Sequence, residues 1–121
     1  EIDELFPVAE TLQMLRFAEV AGGDIRLTTE GRQFADFDTD RRKHLFARHL
    51  LTYVALAAHI RRVLDERPVH QAPWSRFADE LEDYMPPAAA VQTLRTIIAL
   101  GRYAEIFSYD DEKQVFSLDN P

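Results

Sequence analysis

Apolar residues recur at helical spacing at Leu5, Val8, Ala9, Leu12, Leu15 and Ala18, and predict a helix from about Asp3 to Arg16 with one buried face. Pro7 stands near its first turn, where proline is tolerated. The pattern then switches to period two. Phe17-Ala18-Glu19-Val20, the turn Gly22-Gly23-Asp24 and Ile25-Arg26-Leu27 predict a β-hairpin. Thr28 or Thr29 can cap a short helix running to Asp36. From Thr39 to about Glu66 the helical pattern is longest, and Leu45, Phe46, Leu50, Leu51, Tyr53, Val54, Leu56, Ala57, Ile60, Val63 and Leu64 cover more than one face. Such a helix is expected to pack on several sides, as a long central helix ended by Arg67-Pro68.

A further amphipathic helix turns Trp74, Phe77, Ala78, Leu81 and Met85 inward and Asp79, Glu80, Glu82 and Asp83 outward, with Pro86-Pro87 closing it and opening the next. That next helix, about Ala88 to Leu100, buries Val91, Leu94, Ile97 and Ile98, and Gly101 stands where a left-handed cap is expected. A second hairpin follows, with strands Tyr103 to Tyr109 and Gln114 to Leu118. Arg16-Phe17-Ala18-Glu19-Val20 and Arg102-Tyr103-Ala104-Glu105-Ile106 match each other, each after an apolar helix, and read as an internal repeat. The expected fold is therefore mostly α with small β-hairpins, an α+β arrangement of one and a half or two winged-helix-like units. Residues 1–38 would end a first unit, and residues 39–121 would form the second.

Composition narrows the chemistry. The 121 residues are 46% hydrophobic and 29% charged, the balance of a globular domain, and contain no cysteine, which removes disulfides, thiolate metal sites and cysteine nucleophiles. The chain opens at Glu1 with neither an initiator Met nor a signal pattern, so it is expected to be a piece of a longer protein. The nearly apolar run from Leu50 to Ile60 is far shorter than the roughly 20 residues that span a bilayer. Charge is uneven: residues 1–38 carry 3 basic and 9 acidic side chains, residues 39–66 carry 6 and 3, and residues 67–121 carry 5 and 9. Phosphate neutralisation dominates affinity for DNA. The helix from Ala88 has only Arg95 and Arg102 near it and an acidic hairpin beside it, so protein contacts fit that helix better than nucleic acid.

No catalytic, cofactor or metal site is expected. The four glycines, at 22, 23, 31 and 101, form no P-loop, and none of the serines at 75, 108 and 117 sits in a nucleophile elbow. Asp36, Asp38 and Asp40 alternate like a calcium loop, but Arg41 and Ala47 replace its glycine and bidentate glutamate, and the acids read as caps of the following helix. His44, His49, His59 and His70 lack the spacing of two ligands on one helical face. The residues singled out are therefore a possible interaction surface, Arg61, Arg62, Arg95 and Arg102, and a possible pocket or switch formed by His59, Tyr53 and Trp74.

Asp3-Glu4-Leu5-Phe6-Pro7, Phe17-Ala18-Glu19-Val20, Asp24-Ile25-Arg26-Leu27-Thr28 with Gly31, Ala57 to Leu64, and Gly101-Arg102-Tyr103-Ala104-Glu105 together give the whole chain its resemblance to a family. It resembles the C-terminal AAA-associated domain that follows the ATPase domain in some ABC transporters of the nitrate, sulfonate and bicarbonate group. The resemblance implies a parent whose ATPase domain uses ATP and Mg to drive import, and a cytoplasmic accessory domain peripheral to the inner membrane. Its expected partners are its own ATPase domain, the permease complex or a second copy of itself. The alternatives are a winged-helix transcriptional regulator and a small-ligand sensor.

Overall fold

The computed structural model describes residues 10–118. They are mostly helical with two small antiparallel sheets, as the sequence pattern predicts. The chain divides into two compact units, Glu1–Val54 and Ala55–Pro121.

In the first unit residues 10–14 are helical (α1); the expected start at Asp3 lies outside the described residues. The helix closes in a Schellman turn: the Phe17 N–H donates to the Leu12 carbonyl at 2.8 Å and the Arg16 N–H to the Gln13 carbonyl at 3.0 Å, with Arg16 at φ 65°. Strands β1 (Ala18–Ala21) and β2 (Asp24–Leu27) follow, and Gly22 and Gly23, both at positive φ, make the turn whose twist suits a two-residue hairpin. Thr28 ties the hairpin to α2 (Thr29–Asp36). Its hydroxyl accepts the Gly31 N–H at 3.0 Å as the N-cap and donates to the Arg16 carbonyl at 2.7 Å.

Gly31 is required by close approach, since a Cβ there would fall 1.9 Å from the Phe17 carbonyl oxygen. Asp38 caps α3 (Thr39–Tyr53) through the Arg41 N–H. Arg42 of α3 reaches back to the Phe34 and Ala35 carbonyls at 3.0 and 2.8 Å, filling orphan acceptors at the end of α2. These bonds cross the expected boundary at residues 38 and 39 and hold α2 and α3 in one unit.

The core of this unit is an aromatic stack. Phe17 lies 5.0 Å from Phe34, 4.5 Å from His49 and 6.2 Å from Phe46, ring to ring. Offset stacks of this kind add about 0.5–1.5 kcal/mol each beyond the area they bury.

The long helix expected over residues 39–66 is two helices. Val54 leaves the helical region at φ −114°, ψ 97°, between α3 and α4 (Ala55–Glu66). Thr52, Tyr53 and Val54 are weak helix formers in a row, and the Thr52 hydroxyl bonds the Arg48 carbonyl at 2.6 Å, a back-bond that bends helices. The apolar residues that seemed to surround one helix belong to two one-faced helices: α3 buries Leu45, Phe46, His49 and Leu50, and α4 buries Ala57, Ile60, Val63 and Leu64.

The second unit runs α4, β3 (Gln71–Pro73), α5 (Trp74–Glu82), α6 (Pro87–Ala104), β4 (Ser108–Asp110), β5 (Val115–Ser117), with strands in the order β3-β5-β4. Pro86 and Pro87 occupy the N-cap and first turn of α6, as expected. The helix continues past Gly101 to Ala104, and the left-handed cap is Glu105 at φ 60°. Gly101 serves packing instead: a Cβ there would lie 2.2 Å from the Phe107 ring. The expected strand from Tyr103 thus begins only at Ser108. Phe116 on β5 is fully buried, with Phe77, Phe107 and Tyr109 at ring distances of 5.2, 5.4 and 4.7 Å.

Candidate functional site

The residues singled out from the sequence sort into three places. His59, on α4, donates from Nε2 to the Glu80 carboxylate of α5 at 3.1 Å, with Phe77 edge-on to its ring at 5.8 Å and Arg76 3.6 Å from the same carboxylate. This pair joins two helices of the second unit, and Glu80 is half-buried rather than part of a fully solvated acidic face. Tyr53 belongs to the first unit, exposed beneath the Arg16 guanidinium at 5.2 Å and edge-on to His49. Trp74 stands at the start of α5, 6.0 Å from the Tyr109 ring.

Trp74 meets Arg95 and Arg102 in one groove of the second unit. Val91, Arg95, Ile98, Ala99 and Arg102 recur along one side of α6 and, with Trp74, Tyr109, Asp111 and Gln114, line about 540 Å³ between the helix and the β4–β5 hairpin. Arg102 is committed to the fold. Its Nη2 donates to the Tyr109 carbonyl at 2.6 Å and to Asp111 at 3.0 Å, and its guanidinium lies over the Tyr109 ring at 5.7 Å. Burial and the Asp111 carboxylate push the Tyr109 phenol above its ordinary pKa of 10.0, against the opposing pull of Arg102, so it stays a neutral donor at neutral pH. Arg95 is exposed and makes no side-chain hydrogen bond, ion pair or ring contact with the described residues. Tyr109 was invisible to sequence reasoning as a groove residue because only the pairing of β4 with β5 brings it beside α6.

Arg61 bonds the Ile106 carbonyl at 2.7 Å and pairs with Asp65 on its own helix, so it too is structural. Arg62 is exposed on α4.

His49 is the one buried polar or charged residue among those described. Its Nδ1–H donates to the Leu15 carbonyl at 2.7 Å, satisfying an acceptor at the end of α1. Among the described residues no three His, Asp or Glu side chains gather as metal ligands, and no helix is long and apolar enough to cross a membrane.

No curated protein and no solved structure matches the chain. The model of the C-terminal AAA-associated domain matches residues 1–110, nearly its whole length. The chain therefore belongs to the family of C-terminal AAA-associated domains.

Proposed function

We propose that this domain is a non-catalytic docking module of an ABC-transporter ATPase subunit of the nitrate, sulfonate or bicarbonate type. In this reading it lies on the cytoplasmic side and contacts its own ATPase domain, the permease complex or a second copy. Family membership supports the proposal, because a C-terminal AAA-associated domain suggests an accessory part of an ATPase-containing protein. The second unit would be a winged helix. Its order of helix, strand, helix, helix and hairpin, with strands arranged β3-β5-β4, supports that reading, and the first unit would be the end of an earlier one. In DNA-binding relatives of this arrangement the helix in the position of α6 enters the major groove. Among the described residues Arg95 is the cation of α6 without a side-chain partner, and Asp110, Asp111 and Glu112 outnumber Lys113 at the hairpin tip, a charge balance unfavourable to phosphates.

The test compares ATP hydrolysis by the parent protein with that of a truncation ending before Glu1, with and without the domain added back in trans. A rate altered by truncation and restored on addition is expected. Unchanged rates throughout, together with salt-dependent binding of duplex DNA, would replace the docking reading with the transcriptional one.

A further inference from the structure

We propose that the groove between α6 and the β4–β5 hairpin is a binding site for a small aromatic carboxylate. One wall is aromatic, formed by the contacting rings of Trp74 and Tyr109, with centroids 6.0 Å apart and planes tilted by 55°. Val91, Ile98 and Ala99 supply an apolar floor. Offset or tilted ring pairs are the arrangements that aromatic quadrupoles favour, so a flat apolar ring is the complement of this wall. The volume, about 540 Å³, lies in the usual range for small-molecule sites.

Polarity then selects the charged end of the ligand. The groove's acid, Asp111, is held by Arg102, and the Tyr109 phenol is a neutral donor. The unengaged groups are Arg95, the Trp74 indole N–H and the Gln114 amide, none of which has a side-chain partner among the described residues. This set is rich in donors and poor in free acceptors. A planar carboxylate accepts two parallel bonds from a guanidinium, and Arg95 is on the same side of α6 as the apolar floor, one turn from Val91 and from Ala99. A polyanion fits badly, because Asp111 lines the groove and Asp110 and Glu112 flank it in the chain, against the single cation Lys113 of that turn.

The inference goes beyond the docking role and is independent of it: it is read on the isolated chain, whereas docking is read through the parent ATPase. Trp74 is the chain's single tryptophan, so its fluorescence reports on the groove alone. Benzoate titrated into the 121-residue chain is expected to quench it saturably at roughly millimolar concentration. Benzamide, which keeps the ring but not the charge, and acetate, which keeps the charge but not the ring, should each bind about tenfold more weakly or worse.

Arg95→Gln should weaken benzoate by about tenfold while leaving the circular dichroism unchanged, since Arg95 is exposed and supports no contact. Amide shifts on saturation should concentrate on residues 91–102 and 109–114. Non-saturable quenching, equal binding of benzamide, an Arg95→Gln variant that binds as well as the parent chain, or shifts centred elsewhere would each overturn the proposal.

Discussion

The two units use the same device to opposite ends. In each, an apolar helix closes in a Schellman turn on a non-glycine residue and leads into a hairpin: Arg16 before β1, Glu105 before β4. In the second unit the hairpin gains β3 as a third strand, and Phe116 at the centre of that sheet is fully buried under Phe77 and Phe107. In the first unit the hairpin is two-stranded among the described residues. Val20 and Ile25 pair across it on the same face as Leu27, and all three are more than two-fifths exposed. An isolated two-stranded ribbon is marginal in water, so this unit keeps its core elsewhere, in the stack of Phe17, Phe34, Phe46 and His49. One added strand of three residues is the difference between a hairpin that packs and a hairpin that is carried.

The sharpest way to break this comparison is through the two buried glycines. Gly31→Ala pushes a methyl against the Phe17 backbone, which cannot rotate away, and should cost about 3 kcal/mol in urea unfolding. Gly101→Ala meets a side-chain ring instead, and should cost about 1–2 kcal/mol, partly recovered by Phe107→Leu. Equal costs would mean that the backbone approach at Phe17 is looser than its geometry states.

Next in size is His49→Phe, which keeps a ring in the stack but leaves the Leu15 carbonyl without its donor. A loss of about 1–3 kcal/mol is expected, with the amide protection of α1 falling most. A neutral substitution would show that stacking alone matters there.

Smaller effects separate the left-handed residues. Gln114, at φ 55°, has no side-chain partner among the described residues, so Gln114→Gly should stabilise by up to about 1 kcal/mol. Arg16→Gly relieves the same strain but gives up the contact over Tyr53, and should change thermal stability little.

The smallest effect is electrostatic. The N–H groups of Lys113 and Glu112 donate to the Asp110 carboxylate and hold its pKa below the ordinary 3.8. A depressed folded-state value means that the hairpin gains its contribution above the usual carboxylate range and loses it as pH falls through the lowered pKa. Carboxyl chemical shifts against pH check this, and a midpoint at or above 3.8 would contradict it.

Much of this was legible in the chain. The Gly22-Gly23 turn and the Pro86-Pro87 junction follow from local chemistry and stand where the sequence puts them, and of the caps it offers, Thr28 or Thr29 and then Asp36, Asp38 and Asp40, the structure uses Thr28 and Asp38. Three features were not legible. The three residues Gln71–Pro73 are too short to show a period and include a proline, so β3 exists only because β5 offers it a partner. The break at Val54 leaves no glycine or proline as a signal, and the apolar run there reads equally as one helix with a wide face. The matched pentapeptides also mislead: Arg16 is the left-handed residue of its turn, whereas Arg102 is still in α6 and Glu105 holds the equivalent place. Periodicity registers helices well, but where they end depends on contacts such as Gly101 with Phe107. In the groove, Trp74, Arg95 and Arg102 stood out from sequence, while their meeting depended on the register of β4 against β5.

Arg102 has a consequence for how the molecule behaves when crowded. By capping the Tyr109 carbonyl it removes one open acceptor from the outer strand of the three-stranded sheet, so a neighbouring chain finds fewer places to attach there. Strands β1 and β2 carry neither lysine nor proline to discourage such attachment, and among the described residues Val20, Ile25 and Leu27 on their apolar face are each more than two-fifths exposed. In concentrated solution, self-association should therefore begin at the first hairpin, and a lysine placed at Val20 or Ile25 should raise solubility more than any charge added to the second.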